Sequence, residues 1–546
     1  MYNFRLPVFS AFLCGIVLVS TGTMAQKLPS APNDPPQDWH TLDLKTDGYF
    51  GISLNQAYEL IKGKKSKSVL VAIVDSGVDT LQKDLQGVLW VNPKEKPGNG
   101  KDDDHNGYID DIHGWNFLGG KNGKADLNET SEEIRYYYKL KGKYANVTSA
   151  PAGDEKEYAY WLTVKARRDS TTAKSIKELA ELQPDMSALM VTNGYIKKAL
   201  NLGPNASFTI KDLDKISSTN DTLVQSKYVW SLVLQQEGRT ATNVSTLKDM
   251  SEYIEKLNND ITPNLTERKE IVGDDPDVND GKPYGNNILK YTDASHGTGV
   301  AGLIGAKRNN GYGIDGVADN VHIMVLKAIP NGDEYDKDIV NAIHYAVDNG
   351  AKIINMSFGK YLSPHKDWVD EAFKYAASKD VLLVQASGND NLNVDSVPQY
   401  PNDTFLDGSA TDADNMINVG ASASLADTSL ASNFSNYGLK NVDVFAPGVK
   451  VTSIDTDAEF NTADGTSFAS PIVTGIAALL LEYYPKLSAA QLKQIIMQSA
   501  TPLKGTMVYK PGTKQLVDFT TLCKSGGIVN AYKALEIASK MKGERK

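Results

Sequence analysis

Short apolar, β-branched runs recur along this chain with helix-length stretches between them, and that alternation limits the fold more than any other feature. Ser68-Val-Leu-Val-Ala-Ile-Val74 ends at Asp75-Ser-Gly, and Val321–Ala328, Ala351–Met356, Val381–Gln385 and Met416–Gly420 repeat the pattern. Apolar runs without a polar alternation suit strands that are covered on both faces. Asp338–Asp348 and Trp368–Ser378, between these runs, have helical spacing. Strands and helices alternating in this way build βαβ units. The expected class is therefore α/β, a doubly wound and mostly parallel sheet flanked by helices. Such sheets hold ligands at the carboxyl ends of their strands, and Asp75 stands at one such end.

From about residue 121 to 285 the pattern changes. Strand-like runs are few, and helix formers dominate Ser131–Lys143, Glu155–Arg168, Leu223–Glu237 and Leu247–Leu257. A structureless stretch of this length is improbable inside a compact protein, so 121–285 reads as a mostly α-helical insertion. The α/β domain then comprises 65–120 and 286–546, with 26–64 as a leader and the start of the domain. Residues 1–25 read as a signal peptide. Arg5 precedes the apolar run Leu6–Val19, and Thr23-Met24-Ala25 offers small residues at the cleavage positions. The run is shorter than the roughly 20 residues that a spanning helix needs. No other stretch is expected to cross a bilayer.

Three motifs carry chemistry. Asp75-Ser-Gly-Val-Asp79 closes a buried strand, and Ser295-His-Gly-Thr-Gly-Val-Ala-Gly302 sets a histidine ahead of small residues suited to a closely packed helix. Asp464-Gly-Thr-Ser-Phe-Ala-Ser-Pro471 leads into the apolar helical stretch Ile472–Tyr484, with Pro471 expected in its first turn. A serine hydroxyl is a weak nucleophile until a base lies within hydrogen-bond reach, and the base needs an orienting carboxylate. Singly, these motifs read as a turn, a packing helix and a helix cap. Together, in the order Asp, His, Ser, they point to nucleophilic hydrolysis.

At these residues the chain resembles the subtilase family of serine proteases. The likeness covers roughly 65–120 and 286–535 and leaves the insertion outside. It implies an exported serine endopeptidase that cleaves peptide bonds through an acyl-enzyme, with Asp75, His296 and Ser467 as its triad. Asn389, in Ala386-Ser-Gly-Asn389, is implied to donate its side-chain amide to the oxyanion, beside the Ser467 backbone N–H. Ser357, Phe358 and Gly359 resemble one wall of the primary specificity pocket; Ala386, Ser387 and Gly388 resemble the other, with Gln399 at its floor. Asn331–Tyr335 resembles the edge strand on which peptide substrates pair. Asp333, Glu334 and Asp336 would make that edge acidic and favour basic residues upstream of the cleaved bond, unless they form only a solvated loop. The roughly 220 residues between Asp75 and His296 far exceed what compact family members use. The leader is shorter than the family's usual folding prodomain, and no C-terminal anchor is expected after Gly526–Ala531.

Asp102, Asp104 and Asn106, followed by Gly107, space oxygen ligands like the opening of an EF-hand loop. The glutamate expected at position twelve is missing, and Asp110 or Asp111 could stand in. The expected cofactor is structural calcium, with none needed for catalysis; an acidic surface turn is the alternative. Asp84 matches a calcium-binding aspartate of the family, although the loop after His296 differs in length. A net charge of −10 argues against nucleic acid as a partner. Polypeptide substrates are expected, with no stable membrane insertion after signal removal and a location in the periplasm or outside the cell. Of two cysteines, Cys14 lies in the signal peptide, so Cys523 remains without a disulfide partner. A catalytically silent scaffold and an esterase are the competing readings.

Overall fold

The computed structural model describes residues 35–237 and 241–545. The signal peptide expected at 1–25 lies outside them. In chain order the strands are β1 (Val69–Asp75), β2 (Gly114–Asn116), β3 (Val321–Lys327), β4 (Ile353–Met356), β5 (Leu382–Ala386), β6 (Met416–Ser422), β7 (Val444–Pro447), β8 (Val451–Ile454), β9 (Phe460–Ala463), β10 (Thr501–Pro502), β11 (Met507–Tyr509), β12 (Leu516–Asp518) and β13 (Gly527–Ile528). Nine of them form one sheet in the order β10-β13-β7-β6-β5-β4-β1-β3-β2. Only the short β10–β13 pair in this sheet is antiparallel. The protein is α/β, as the alternation of runs requires. β8 with β9 and β11 with β12 form separate antiparallel pairs.

The pleat sorts the strand residues between two cores. Val69, Val71 and Ile73 of β1 and Val321, Ile323 and Val325 of β3 face one apolar layer. Ala72 and Val74 with Met324 and Leu326 face the other. The first layer is completed by α1 (Ser295–Gly305), α4 (Thr466–Tyr483) and α5 (Ala489–Ser499), the second by α2 (Asp336–Asp348) and α3 (Lys366–Ser378). Because both faces are covered, these strands read as unbroken apolar runs. β1 lies between β3 and β4, so the chain leaves it to one side and later returns on the other. That reversal opens a crevice at the carboxyl ends of β1, β3 and β4.

Helix α4 begins earlier than its sequence suggests. It starts at Thr466 and holds Pro471 inside its second turn. Proline has no N–H to give to the carbonyl four residues back, here that of Ser467. The Ser357 hydroxyl donates to this carbonyl instead, at 3.0 Å, so the helix runs through. By length and composition α4 is long and apolar enough to cross a membrane, contrary to the expectation that no stretch beyond the signal peptide would be. It is 94% buried within the protein, as a core helix is.

Residues 35–127 and 266–545 form one compact unit and residues 128–265 another. The flanks of the expected 121–285 insertion therefore pack with the sheet. Arg268 holds Asp338 of α2 with two hydrogen bonds of 2.8 Å, both groups being buried. Trp115 donates to the Tyr284 carbonyl at 2.7 Å, and Leu127 accepts from the Asn331 N–H at 2.7 Å. In the smaller unit, helices Glu155–Ala199, Asp221–Glu237 and Asn243–Ile261 enclose Leu189, Ile196, Phe208, Trp230 and Met250, while helix Glu132–Tyr144 stacks Tyr137 on Trp161 of the first of them. Glu155–Ala199 runs 45 residues, well past the expected end at Arg168, with Pro184 inside it.

Candidate active site

Asp75 is the last residue of β1, 2% exposed. Its Oδ1 accepts from the Ser76 N–H at 2.7 Å and from His296 Nδ1 at 2.7 Å. His296 is the second residue of α1, and Gly297 follows it because a Cβ there would lie 2.1 Å from the Gly77 carbonyl oxygen. Only a glycine lets the start of α1 reach the end of β1 this closely. Once Nδ1 donates to the carboxylate, the neutral ring's Nε2 is the basic nitrogen. That atom is buried and makes no hydrogen bond. Ser467, the second residue of α4, lies among the helix N–H groups that have no partner within the helix. Its neighbour Phe468 packs edge-on to the His296 ring, with centroids 5.9 Å apart.

Asn389 follows β5 and turns its carboxamide oxygen to Thr466, accepting from the N–H and the hydroxyl at 2.9 Å each. That pair fixes which end of the amide is the donor. Below Ser467 runs a buried polar chain. Thr474 donates to Asn355 Oδ1 at 2.8 Å, Asn355 Nδ2 donates to the Ser357 hydroxyl at 2.8 Å, and that hydroxyl donates to the Ser467 carbonyl. Ser357, expected to line the pocket, is thus also a brace between β4 and α4.

The two expected pocket walls meet at Gln399. A Cβ on Gly359 would lie 2.2 Å from Gln399 Nε2, and one on Gly388 would lie 2.6 Å from Gln399 Oε1. Ala386 and Ser387 are buried, and Phe358 passes its carbonyl to Gln385. Sequence reasoning missed Asn436, which is fully buried. Its Nδ2 donates to the Ser387 carbonyl at 2.8 Å, and its Oδ1 accepts from the Leu392 N–H at 2.8 Å. Nothing local in Phe434-Ser-Asn-Tyr437 marks it, since its partners lie more than forty residues away.

The expected acidic substrate edge is not presented to solvent. Asp333, Glu334 and Asp336 are 5%, 1% and 5% exposed. Asp336 pairs with Lys360 at 2.9 Å. Burial pushes the Glu334 carboxyl up to about 8 against the pull of Lys360, so it carries little charge at neutral pH. Burial of all three carboxylates and the Asp336–Lys360 pair replace the expected solvent-facing acidic edge.

In the acidic loop, Asp102 and Asp104 converge with Glu95, one oxygen of each lying within 4.8 Å of the others. Glu95 is 7% exposed, and its Oε2 has no hydrogen-bond partner. Asp110 is not in the group; its carboxylate accepts from the N–H groups of Asn99 and Gly100 at 3.2 and 2.7 Å. Asn106 Oδ1 accepts from Tyr108 N–H at 2.8 Å, closing the turn. Asp84 lies elsewhere, fully buried, accepting from Asn310 Nδ2 at 2.6 Å and Ile314 N–H at 3.0 Å. Its burial raises its pKa.

The model of the subtilase family matches residues 66–515. A thermophilic serine proteinase from Bacillus sp. strain AK1 is 32% identical over 359 residues, covering 62% of this chain and 80% of that protein. Thermitase from Thermoactinomyces vulgaris is 30% identical over 47% of this chain and 78% of its own. The minor extracellular protease Epr of Bacillus subtilis is 28% identical over 69% of this chain and 52% of its own. With a parallel sheet, an Asp–His pair at its switch point and a family match over most of its length, this chain belongs to the subtilase family of serine endopeptidases.

Proposed function

We propose that the protein is an exported endopeptidase in which Ser467 attacks the scissile carbonyl of a polypeptide. His296 Nε2 takes the hydroxyl proton and returns it to the leaving amine, while Asp75 holds the ring and steadies the imidazolium. The observation that carries this reading is the 2.7 Å bond from His296 Nδ1 to Asp75, with Nε2 left as a buried, unbonded base. The reaction requires the Ser467 hydroxyl within hydrogen-bond reach of Nε2 when substrate is bound. Asn389 Nδ2 and the Ser467 N–H then hold the oxyanion at the positive end of α4. The Gln399 amide between the two pocket walls favours small or polar residues before the cleaved bond.

Calcium suits the Glu95, Asp102 and Asp104 oxygens, since hard carboxylate ligands are what that ion takes. Bound there it would offset two of the three carboxylate charges and hold the two ends of the 95–104 loop together, with no part in the proton transfers. Export rests on the apolar run at 6–19 and on the extracellular relative.

The test is digestion of a proteome-derived peptide mixture with the wild type and Ser467→Ala. The expected result is cleavage by the first and a loss of about 10⁴-fold or more in the second. A folded wild type that cleaves nothing and resists a fluorophosphonate would instead support the scaffold reading.

A further inference from the structure

Lys327 is a lysine with no exposed surface at the heart of the sheet. It ends β3 directly opposite Asp75 in the parallel register. A buried ammonium is costly unless its protons are all met. Lys327 Nζ donates to the Ser76 carbonyl at 2.6 Å and to Asp293 Oδ2 at 2.5 Å, and it sits 5.8 Å from the centre of the Tyr291 ring. Ser76 returns the tie, its hydroxyl donating to the Asp293 carbonyl at 2.8 Å. One side chain therefore clasps the residue after Asp75 and the residue three before His296. These two points are more than two hundred residues apart in sequence, and nothing local holds them together.

We propose that Lys327 is a positioning residue for the Asp75–His296 pair, clamping the end of β1 to the segment that delivers the histidine and balancing the Asp293 charge beside it. The inference rests on the reading of Asp75, His296 and Ser467 given above. The charges around the imidazole come from Asp75 on β1, Lys327 on β3 and Asp293 on the entering segment. α4 packs Phe468 against the imidazole and carries no charged residue before Glu482 near its far end. Lys290, Asp79 and Asp457 form their own ion-paired group. Removal of Lys327 takes away the positive charge paired with Asp293, which favours imidazolium. Removal of Asp293 leaves the ammonium, which favours the neutral ring. The two changes thus push the imidazole in opposite directions, which a merely structural role does not do.

The experiment follows the rate of Ser467 labelling by a fluorophosphonate against pH for the wild type, Lys327→Met, Asp293→Asn and the double variant, with thermal melts as a folding check. Lys327→Met is expected to label about 10- to 100-fold more slowly at its plateau, the order of loss for a small misplacement of a reacting group. Its acid limb moves to higher pH, that of Asp293→Asn to lower pH, and the double variant returns toward the wild type. Limbs that stay in place, or move together, overturn the proposal. If Lys327→Met does not fold, the Asp293→Asn limb decides alone, and no shift there overturns it. A folded wild type that is not labelled at all defeats the underlying reading of Ser467, and the inference falls with it.

Discussion

At the scale of single residues, the site depends on side chains with one polar end held by the protein and the other turned to the chemistry. Asn389 is oriented by Thr466, and Asn389→Ala should lower kcat by about 10²- to 10³-fold, the loss typical of one oxyanion donor, with KM for a peptide substrate little changed. A fall in kcat of less than threefold in steady-state assays would remove Asn389 from that role. His40 is buried in the sheet unit, and its burial, aided by the Arg308 charge, holds its pKa down at about 4, below the ordinary 6.5 of an imidazole. The unfolded chain therefore binds a proton between these values that the folded protein does not. Stability rises with pH through that window and is lost as pH falls from about 6.5 towards 4, by about 3 kcal/mol at most. His40→Leu should flatten this part of a plot of Tm against pH; an unchanged slope would assign the acid sensitivity to other groups. The sequence motifs named Asp75, His296, Ser467 and Asn389 because each sits beside its own local signature. Asn436 and Lys327 carry no such signature, since the partners that give them meaning are distant in sequence, and Glu95, although only seven to nine residues from Asp102 and Asp104, stands outside the ligand spacing of that motif.

At the scale of elements, the glycine-rich helices are explained by what they approach. On α4, a Cβ at Gly475 would lie 2.5 Å from Val317 Cβ. Gly475→Ala should accordingly cost about 1–3 kcal/mol by overpacking, despite alanine's better helix propensity. A variant that melts at or above the wild-type temperature would show that the helix shifts to make room. The strands β3 to β6 lie within two residues of where their apolar runs predicted them, because burial on both faces leaves a continuous apolar signal. The helices were less legible at their ends. α4 begins at Thr466 through a tertiary bond that satisfies the Ser467 carbonyl. The 45-residue helix Glu155–Ala199 continues past the point where its apolar spacing fades.

At the scale of the whole molecule, two units each hold an apolar core of their own. Calorimetry should therefore resolve more than one transition, as chains with separate cores commonly show. Calcium should raise only the transition of the sheet unit, which contains the Glu95 loop, and a chelator should lower it. Glu95→Gln should abolish that response; a chelator-insensitive melt would dismiss the ion. The sequence by itself determined the class of fold, the family and the residues set at the carboxyl ends of strands, because periodicity and short motifs are local and survive in a linear string. Only the tertiary structure decided which carboxylates converge, that the acidic edge is buried, where the flanks of the insertion belong and what clamps Asp75 to His296. Apart from the short loop that brings Glu95 to Asp102 and Asp104, those properties arise from contacts between segments tens to hundreds of residues apart, and no local pattern encodes which distant partner a buried charge will meet.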